Sequence, residues 1–294
     1  VLADDNSDTD KLIVTGNTSG ETGLIINNIG GGGVLTTDGI EVIQVGGRSD
    51  GLFTLKNRAV AGVYEYFLHK NKVSDENGNW YLRSEPLPEP PVPYPPAEIK
   101  PPVVAPTQPE NKQNPIYRPE AGSYIANMAA ATSLFNLRLE DREGRAENSS
   151  MWLRQVGSRT KFRDSSKQLH TSTNRYVIQG GGELVNTQFS EVDRLGLGIM
   201  LGYGQASSHT SSNKSRYSSK GDVDGYNAGL YATWYQNANT MDGMYVDSLV
   251  NYSWLDAKVQ GERLHSEDYN INGYSASLEM GYRLPVYQGE NSGV

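Results

Sequence analysis

From Met151 onward, apolar residues alternate with small or polar ones at a period of two. In Leu195–Tyr203, Leu195, Leu197, Ile199, Leu201 and Tyr203 form one face. Gly196, Gly198 and Gly202 form the other, interrupted by Met200. Tyr226, Ala228, Leu230, Ala232 and Trp234 repeat the apolar face, as do Val246, Val250, Tyr252 and Trp254. A last run sets Tyr274, Ala276, Leu278, Met280, Tyr282 and Leu284 against Gly273, Ser275, Ser277, Glu279, Gly281 and Arg283. Side chains alternate sides along a strand, so these runs predict amphipathic strands. Two less regular strands precede them, at about 151–163 and 174–187. The readable strands are longer than the usual globular strand, with Tyr and Trp near the ends of the apolar face. That pattern predicts a membrane-spanning antiparallel β-barrel with lipid outside and a wet lumen inside. A soluble sandwich or lipocalin-like barrel would instead turn the apolar face inward. The segments 207–224 and 258–268 read as long polar loops, and 236–243 and 188–193 as short turns. Only six strands are readable, fewer than a closed bacterial barrel needs. The sheet is therefore expected to be incomplete, finished by further sequence or by other chains.

The first 85 residues show a different pattern. Short apolar runs (Leu12–Val14, Leu24–Ile26, Val42–Val45, Leu52–Leu55) are separated by Gly16-Asn17, Ser19-Gly20, Gly30–Gly33, Asp38-Gly39 and Asp50-Gly51. Such spacing suits the stacked rungs of a parallel β-helix. Longer aromatic runs follow at Val63–Leu68 and Trp80–Leu82, with Asn77-Gly78 as a hairpin signal between them. Hairpins at the end of a solenoid cap its exposed edge. The Gly30–Gly33 run lacks the Lys-Ser/Thr of a phosphate loop and reads as a solenoid corner. His69 has no second ligand at metal spacing.

Between these ends stand 13 of the 14 prolines, from Pro86 to Pro119. Proline fixes φ and removes a backbone donor, so 86–119 is expected to be an extended spacer that holds the N-terminal unit ~70–100 Å away at ~3.1 Å per residue. Ala121–Leu137 carries no charge. It is too short and too polar for a lipid-facing span. A slim helix here suits a narrow polar tunnel, although an ordinary surface helix would have the same composition.

Composition narrows the function. The net charge of −8 argues against nucleic acid. The acidity sits mainly in residues 1–85, where twelve Asp or Glu meet seven Lys or Arg. There is no cysteine, which excludes thiolate metal sites and cysteine nucleophiles. The four histidines (His69, His170, His209, His265) fall in no nucleophile motif. No cofactor and no metal are expected. The chain starts Val1-Leu2-Ala3, without Met or a signal peptide, and is expected to be a fragment or a processed product.

The order of several segments resembles the C-terminal part of a type V autotransporter with a pertactin-like or AIDA-like passenger. Val60–Leu68 followed by Gly78–Leu82 is similar to the end of an autochaperone cap. Tyr117–Tyr124 is similar to the entry of a linker helix. Met151–Arg154, Gly225–Trp234, Tyr245–Leu249 and Gly273–Tyr282 are similar to successive barrel strands. The resemblance implies an all-β chain: a β-helix and autochaperone end (1–85), a proline-rich linker (86–119), a linker helix (120–143) and part of a twelve-stranded outer-membrane barrel (150–294). It also implies export and folding of its own passenger, expected to be an adhesin, at the surface of a Gram-negative cell. Implied partners are outer-membrane lipid, barrel-assembly machinery, periplasmic chaperones, the passenger itself and a host-cell surface. Asp247, Glu279 and Arg283 are expected to face the lumen. Because some relatives cut their own linker, Asn127 and Asn136, with Asp247 or Glu279 as activating acids, are the candidates for such cleavage. The paired asparagines of the serine-protease subgroup are absent. Otherwise no enzyme activity is expected.

Overall fold

The computed structural model describes residues 1–85, 115–142, 150–240 and 242–284, with short backbone pairs at 288–289 and 292–293. The proline run 86–114 lies outside the described residues.

The N-terminal unit is a stack of rungs. β1 (Leu12–Val14) lies parallel on β3 (Ile40–Val45), and β2 (Glu21–Leu24) on β4 (Leu52–Leu55). Leu12 pairs with Ile43 and Glu21 with Leu52, so one turn of the coil takes 31 residues throughout. Asn57 locks the same register. Its Oδ1 accepts from Ile26 N at 2.9 Å and its Nδ2 donates to Ile26 O at 2.8 Å. The stack then stops. β7 (Trp80–Arg83) runs antiparallel to β3 and pairs with β6 (Tyr64–Lys70), which carries β5 (Ala59–Ala61). Antiparallel hairpins thus cover the last rung and protect its edge. Ile40, Ile43, Tyr66 and Leu82 fill the core beneath them. At Gly33, φ is +70° and a side chain would drive into the Ala61 carbonyl, so this corner requires glycine.

The C-terminal unit is a six-stranded antiparallel meander. Its strands are β8 (Met151–Arg163), β9 (Leu169–Thr187), β10 (Arg194–Ser212), β11 (Ser218–Tyr235), β12 (Gly243–Gly261) and β13 (Ser266–Arg283), paired in chain order. Five of the six are 18 or 19 residues long, about 60 Å at ~3.4 Å per residue. A bilayer needs only about half of that. The difference corrects the loop reading of 207–224 and 258–268. Ser207–Ser212 and Ser218–Asp224 are ladder-paired, as are Lys258–Gln260 and Ser266–Asp268. Ser, Thr and charged residues there remove the hydrophobic signal while the backbone ladder continues above the membrane.

α1 (Glu120–Ser133) lies against the concave face and touches β9 to β12. It is shorter than the 120–143 span expected. Thr132 and Ser133 return their hydroxyls to the carbonyls of Met128 and Ala129, back-bonds that compete with the regular helix ladder in its last turn. Arg175 Nη1 meets the Ser133 carbonyl at 3.2 Å, placing a cation at the negative helix end. The chain continues as an irregular segment to a 3₁₀ turn at Leu139–Asp141. No helix among the described residues is long and apolar enough to cross a membrane.

The spacer reading of the proline run fails on its two ends. Ile116 N donates to the Ser84 carbonyl at 2.9 Å, Glu65 N to the Ile116 carbonyl, and Arg118 N to the Val63 carbonyl. Tyr64 and Tyr117 also form a β-bridge. Residues 115–118 are thus an added edge of the N-terminal unit, and Ser84 and Ile116, on either side of the proline run, are hydrogen-bonded to each other. Backbone pairing of the flanking residues outweighs the stiffness argument, because it fixes Ile116–Arg118 on the cap directly.

Candidate functional site

The concave face of the meander is built to receive a helix. Its glycines are where the helix comes closest. A Cβ on Gly204 would lie 2.7 Å from Leu134 Cδ2, and one on Gly221 2.7 Å from Asn127 Oδ1. The helix answers in kind: a Cβ on Gly122 would sit 2.5 Å from Thr210 Cγ2. Its buried stripe (Gly122, Ser123, Ala126, Asn127, Ala130) is small on every turn. Close approach leaves polar atoms facing each other, and they pair. Ser123 Oγ shares a hydrogen bond with Ser219 Oγ at 2.6 Å and donates to Thr210 Oγ1. Asn127 Nδ2 donates to the Lys258 carbonyl and to Tyr269 Oη, both at 3.1 Å. Satisfied buried polar groups of this kind fix one register. Leu134 and Phe135 then pack among Val177, Ala206, Val223 and Leu255.

Below the helix the irregular segment follows the wall. Asp141 pairs with Arg154 at 3.4 Å, and Leu139 N donates to Glu279 Oε2 at 3.4 Å. Arg142 forms a buried ion pair with Asp247, whose Oδ1 accepts from Thr233 Oγ1 at 2.6 Å. The Arg142 guanidinium also stacks on the Tyr231 ring, 4.2 Å from its centroid. A cavity of about 550 Å³ remains beside this segment, lined by Asn136, Arg138, Arg154, Arg175, Asn251 and Ser275 among others.

The opposite rim carries a second ionic cluster. Arg58, in the turn after β4, grips Glu65 of β6 through Nε and Nη2, at 2.8 and 2.7 Å. It reaches Glu120, the first residue of α1, through Nη1 at 2.8 Å and Nη2 at 3.2 Å. All three residues are buried. Burial works against the Arg58 charge, but the two carboxylates outweigh it and hold the guanidinium protonated more firmly than usual. Burial pushes the Glu65 carboxyl up, against the pull of Arg58.

The structure places the sequence candidates as follows. Asp247 and Glu279 are register partners on β12 and β13, and both touch the segment that follows α1. Arg283 lies near them at the same sheet end, against the rings of Tyr235 and Tyr245. Asn127 is not brought to these acids. It meets Lys258, eleven positions along β12 from Asp247, about 36 Å away at strand spacing. Asn136 lines the cavity and its carbonyl accepts from Arg154. The Glu279 carboxylate is occupied by Tyr245 Oη and Leu139 N. Arg58, Glu65, Glu120 and Arg142 carry the ionic contacts at the two ends, and no sequence pattern singled them out. Glu120 directly after Pro119 was the one available hint, as an acid at a helix start.

The outer face of the meander is apolar. Leu201, Tyr226, Leu230, Val250, Trp254, Tyr274, Leu278 and Met280 are exposed on it, a patch far beyond what a soluble monomer tolerates. A sheet apolar outside, with a helix against its small and polar inside, is the wall of an outer-membrane β-barrel with its plug. The chain belongs to the autotransporters. The family model for the autotransporter beta-domain matches residues 151–293, and that for the autochaperone domain type 1 matches residues 1–68. Its relatives include the Escherichia coli K12 protein YdeU, 46% identical over 96% of this chain and 61% of that protein. Another is the autotransporter adhesin AIDA-I of Escherichia coli, 38% identical over 98% of this chain and 21% of that protein. The chain thus spans under two thirds of the first of these and about a fifth of the second. The crystal structure of the AIDA-I transport unit matches with a TM-score of 0.55 at 37% identity, covering 58% of this chain and 55% of that one. These relatives are outer-membrane proteins of Gram-negative bacteria.

Proposed function

We propose that this chain is the export end of a surface adhesin. The meander forms part of a pore in the outer membrane, α1 is the trailing piece of the exported segment and stays in the pore, and residues 1–85 stand at the cell surface. There the hairpin cap folds first and offers its edge to the rungs before it, since each new rung stacks favourably on a formed one. The adhesin role of the passenger is carried over from AIDA-I and from the adhesin BmaC of Brucella suis, which matches 98% of this chain at 29% identity. Barrel-assembly factors and periplasmic chaperones are needed to insert such a sheet, and a host surface would be the adhesin's target.

The observation that carries the reading is the seating of α1 on the glycine-lined face while the apolar face stays bare. Lipid-embedded sheet edges must be paired. Among the described residues β8 and β13 are unpaired on their outer sides, and Ile125 and Met128 of α1 face away from the wall. Further strands would cover both. The test expresses the full gene product in a Gram-negative host and treats intact cells with external protease. Cleavage of the 1–85 region with the barrel protected is expected; protection of both regions would refute export.

We further propose that the linker is not cut by the barrel's own residues, so the chain is not an enzyme. Asn127 lies far from Asp247 and Glu279, and both carboxylates are already engaged, Glu279 by Tyr245 and Leu139 and Asp247 by Arg142 and Thr233, which supports this. Mass spectrometry of the full protein from outer membranes is expected to find peptides spanning 120–143 intact. New termini at Asn127 or Asn136 that vanish in Glu279→Gln would overturn it.

A further inference from the structure

Arg58 stands where three parts of the chain meet. Glu65 belongs to the cap, Glu120 to the helix in the pore, and the Glu262 carbonyl to the β12–β13 turn at the barrel rim. A guanidinium has five N–H donors in a fixed fork. Here Nε serves Glu65, Nη1 serves Glu120 and the Glu262 carbonyl, and Nη2 serves Glu65 and Glu120. Every donor therefore has an acceptor, and the cap supplies only two of the five bonds. Tyr217, in the β10–β11 turn, closes the guanidinium face at 4.3 Å. Arg118 adds a second cation 3.6 Å from Glu120. The site is thus complete only when cap, helix and rim are all in place.

We propose that Arg58 couples the fold of the cap to the seating of α1, so that closure of the pore and completion of the cap stabilise each other. The proposal rests on the export reading above. Its physical basis is register. A slip of α1 by one residue moves Glu120 by about 1.5 Å along the helix axis, enough to break a bidentate fork whose bonds are near 2.8 Å. With α1 unseated, Arg58 keeps the Glu65 bonds and turns its other donors to water, so the cap before helix arrival lacks the contacts to Glu120 and is the looser state. The contact also binds the cap down on the barrel mouth through Glu262 and Tyr217, and so makes the base of the passenger a lid over the pore.

The test uses cells displaying the full gene product. Surface amount is read with an antibody to residues 1–85, and cap stability as the half-life of that region under external protease. Glu120→Gln lies outside the cap and keeps the side-chain shape. It is expected to shorten the half-life of the displayed cap by about tenfold or more. Gly122→Val, which lifts α1 off Thr210 without touching the cluster, should do the same. Arg58→Met should shorten it comparably, and Arg58→Met with Glu120→Gln should be no worse than Arg58→Met alone. If Glu120→Gln and Gly122→Val are displayed normally and the cap resists protease as in the unmodified protein, the coupling is overturned while export stands. If the unmodified protein shows no cap outside, the export reading fails instead. Should Arg58→Met not reach the surface, Glu120→Gln and Gly122→Val decide the matter, since neither alters residues 1–85.

Discussion

Removing Arg142 should unseat the plug. In the seated state Arg142 and Asp247 are each 3% exposed at the side chain and paired. In an unseated state both would face the wet lumen and be solvated. Arg142→Met leaves the seated Asp247 carboxylate buried and uncompensated, with the Thr233 hydroxyl still donating to it. Breaking a buried pair from one side costs about 3–5 kcal/mol. At ~1.4 kcal/mol per tenfold, the seated-to-unseated ratio falls by more than a hundredfold. Replacing both partners is a different matter, because no buried charge is left behind. Arg142→Met with Asp247→Leu should restore seating to within about 1 kcal/mol of the unmodified protein, since apolar replacement of whole buried pairs is often neutral. The assay is single-channel conductance of the full protein in planar bilayers, with sensitivity of expressing cells to a bulky antibiotic as a second reading. Arg142→Met is expected to show frequent large openings, and the double variant few. A quiet Arg142→Met channel, or a double variant as leaky as the single one, would refute the argument that unpaired charge decides seating.

Other expectations follow from the same geometry. Gly221→Val places methyl groups where Asn127 and Ser208 already sit; overpacking of about 1–3 kcal/mol should raise conductance while the barrel keeps its heat resistance on gels. Asn57→Ala removes both bonds to Ile26 and should lower the cap's stability by about 1–3 kcal/mol, read as a lower denaturant midpoint for proteolysis of residues 1–85. His69 is buried against the Glu85 carbonyl, and burial pulls its pKa from 6.5 down to about 4. Because the folded value lies below the unfolded one, its contribution is whole above about pH 6.5 and shrinks as pH falls toward 4. The loss approaches ~3 kcal/mol at the acid end. His69→Gln should flatten the acid limb of cap stability between those values, measured by protease resistance against pH.

The C-terminal fold could be read from the sequence because a two-residue period is local. Leu197, Ile199 and Leu201 declare one face and Gly196, Gly198 and Gly202 the other without knowledge of any partner, and both faces stand as expected. Met200, which breaks the small face, is buried inward at 1% exposure, packed beneath Gly229. The 31-residue rung was less visible: short runs and corners suggested stacking, but the repeat emerges only from pairs such as Leu12 with Ile43. Strand ends above the membrane were missed because Ser208, Thr210 and Ser219 carry no hydrophobic signal, although their ladder is continuous. The ionic clusters were out of reach altogether. Arg58 and Glu120 are 62 positions apart and Arg142 and Asp247 are 105 apart, and a charged residue in sequence looks the same whether solvated or clamped.

The hydrogen bond between Ile116 and Ser84 also has a practical consequence. A segment whose two ends are pinned together is an insertion point, and its length is nearly free: doubling a closed loop costs only ~0.6 kcal/mol. A reporter peptide spliced into residues 86–114 would alter neither the rung register nor the path of α1. That stretch is therefore the natural place to mount cargo on this scaffold, independent of whatever the passenger does.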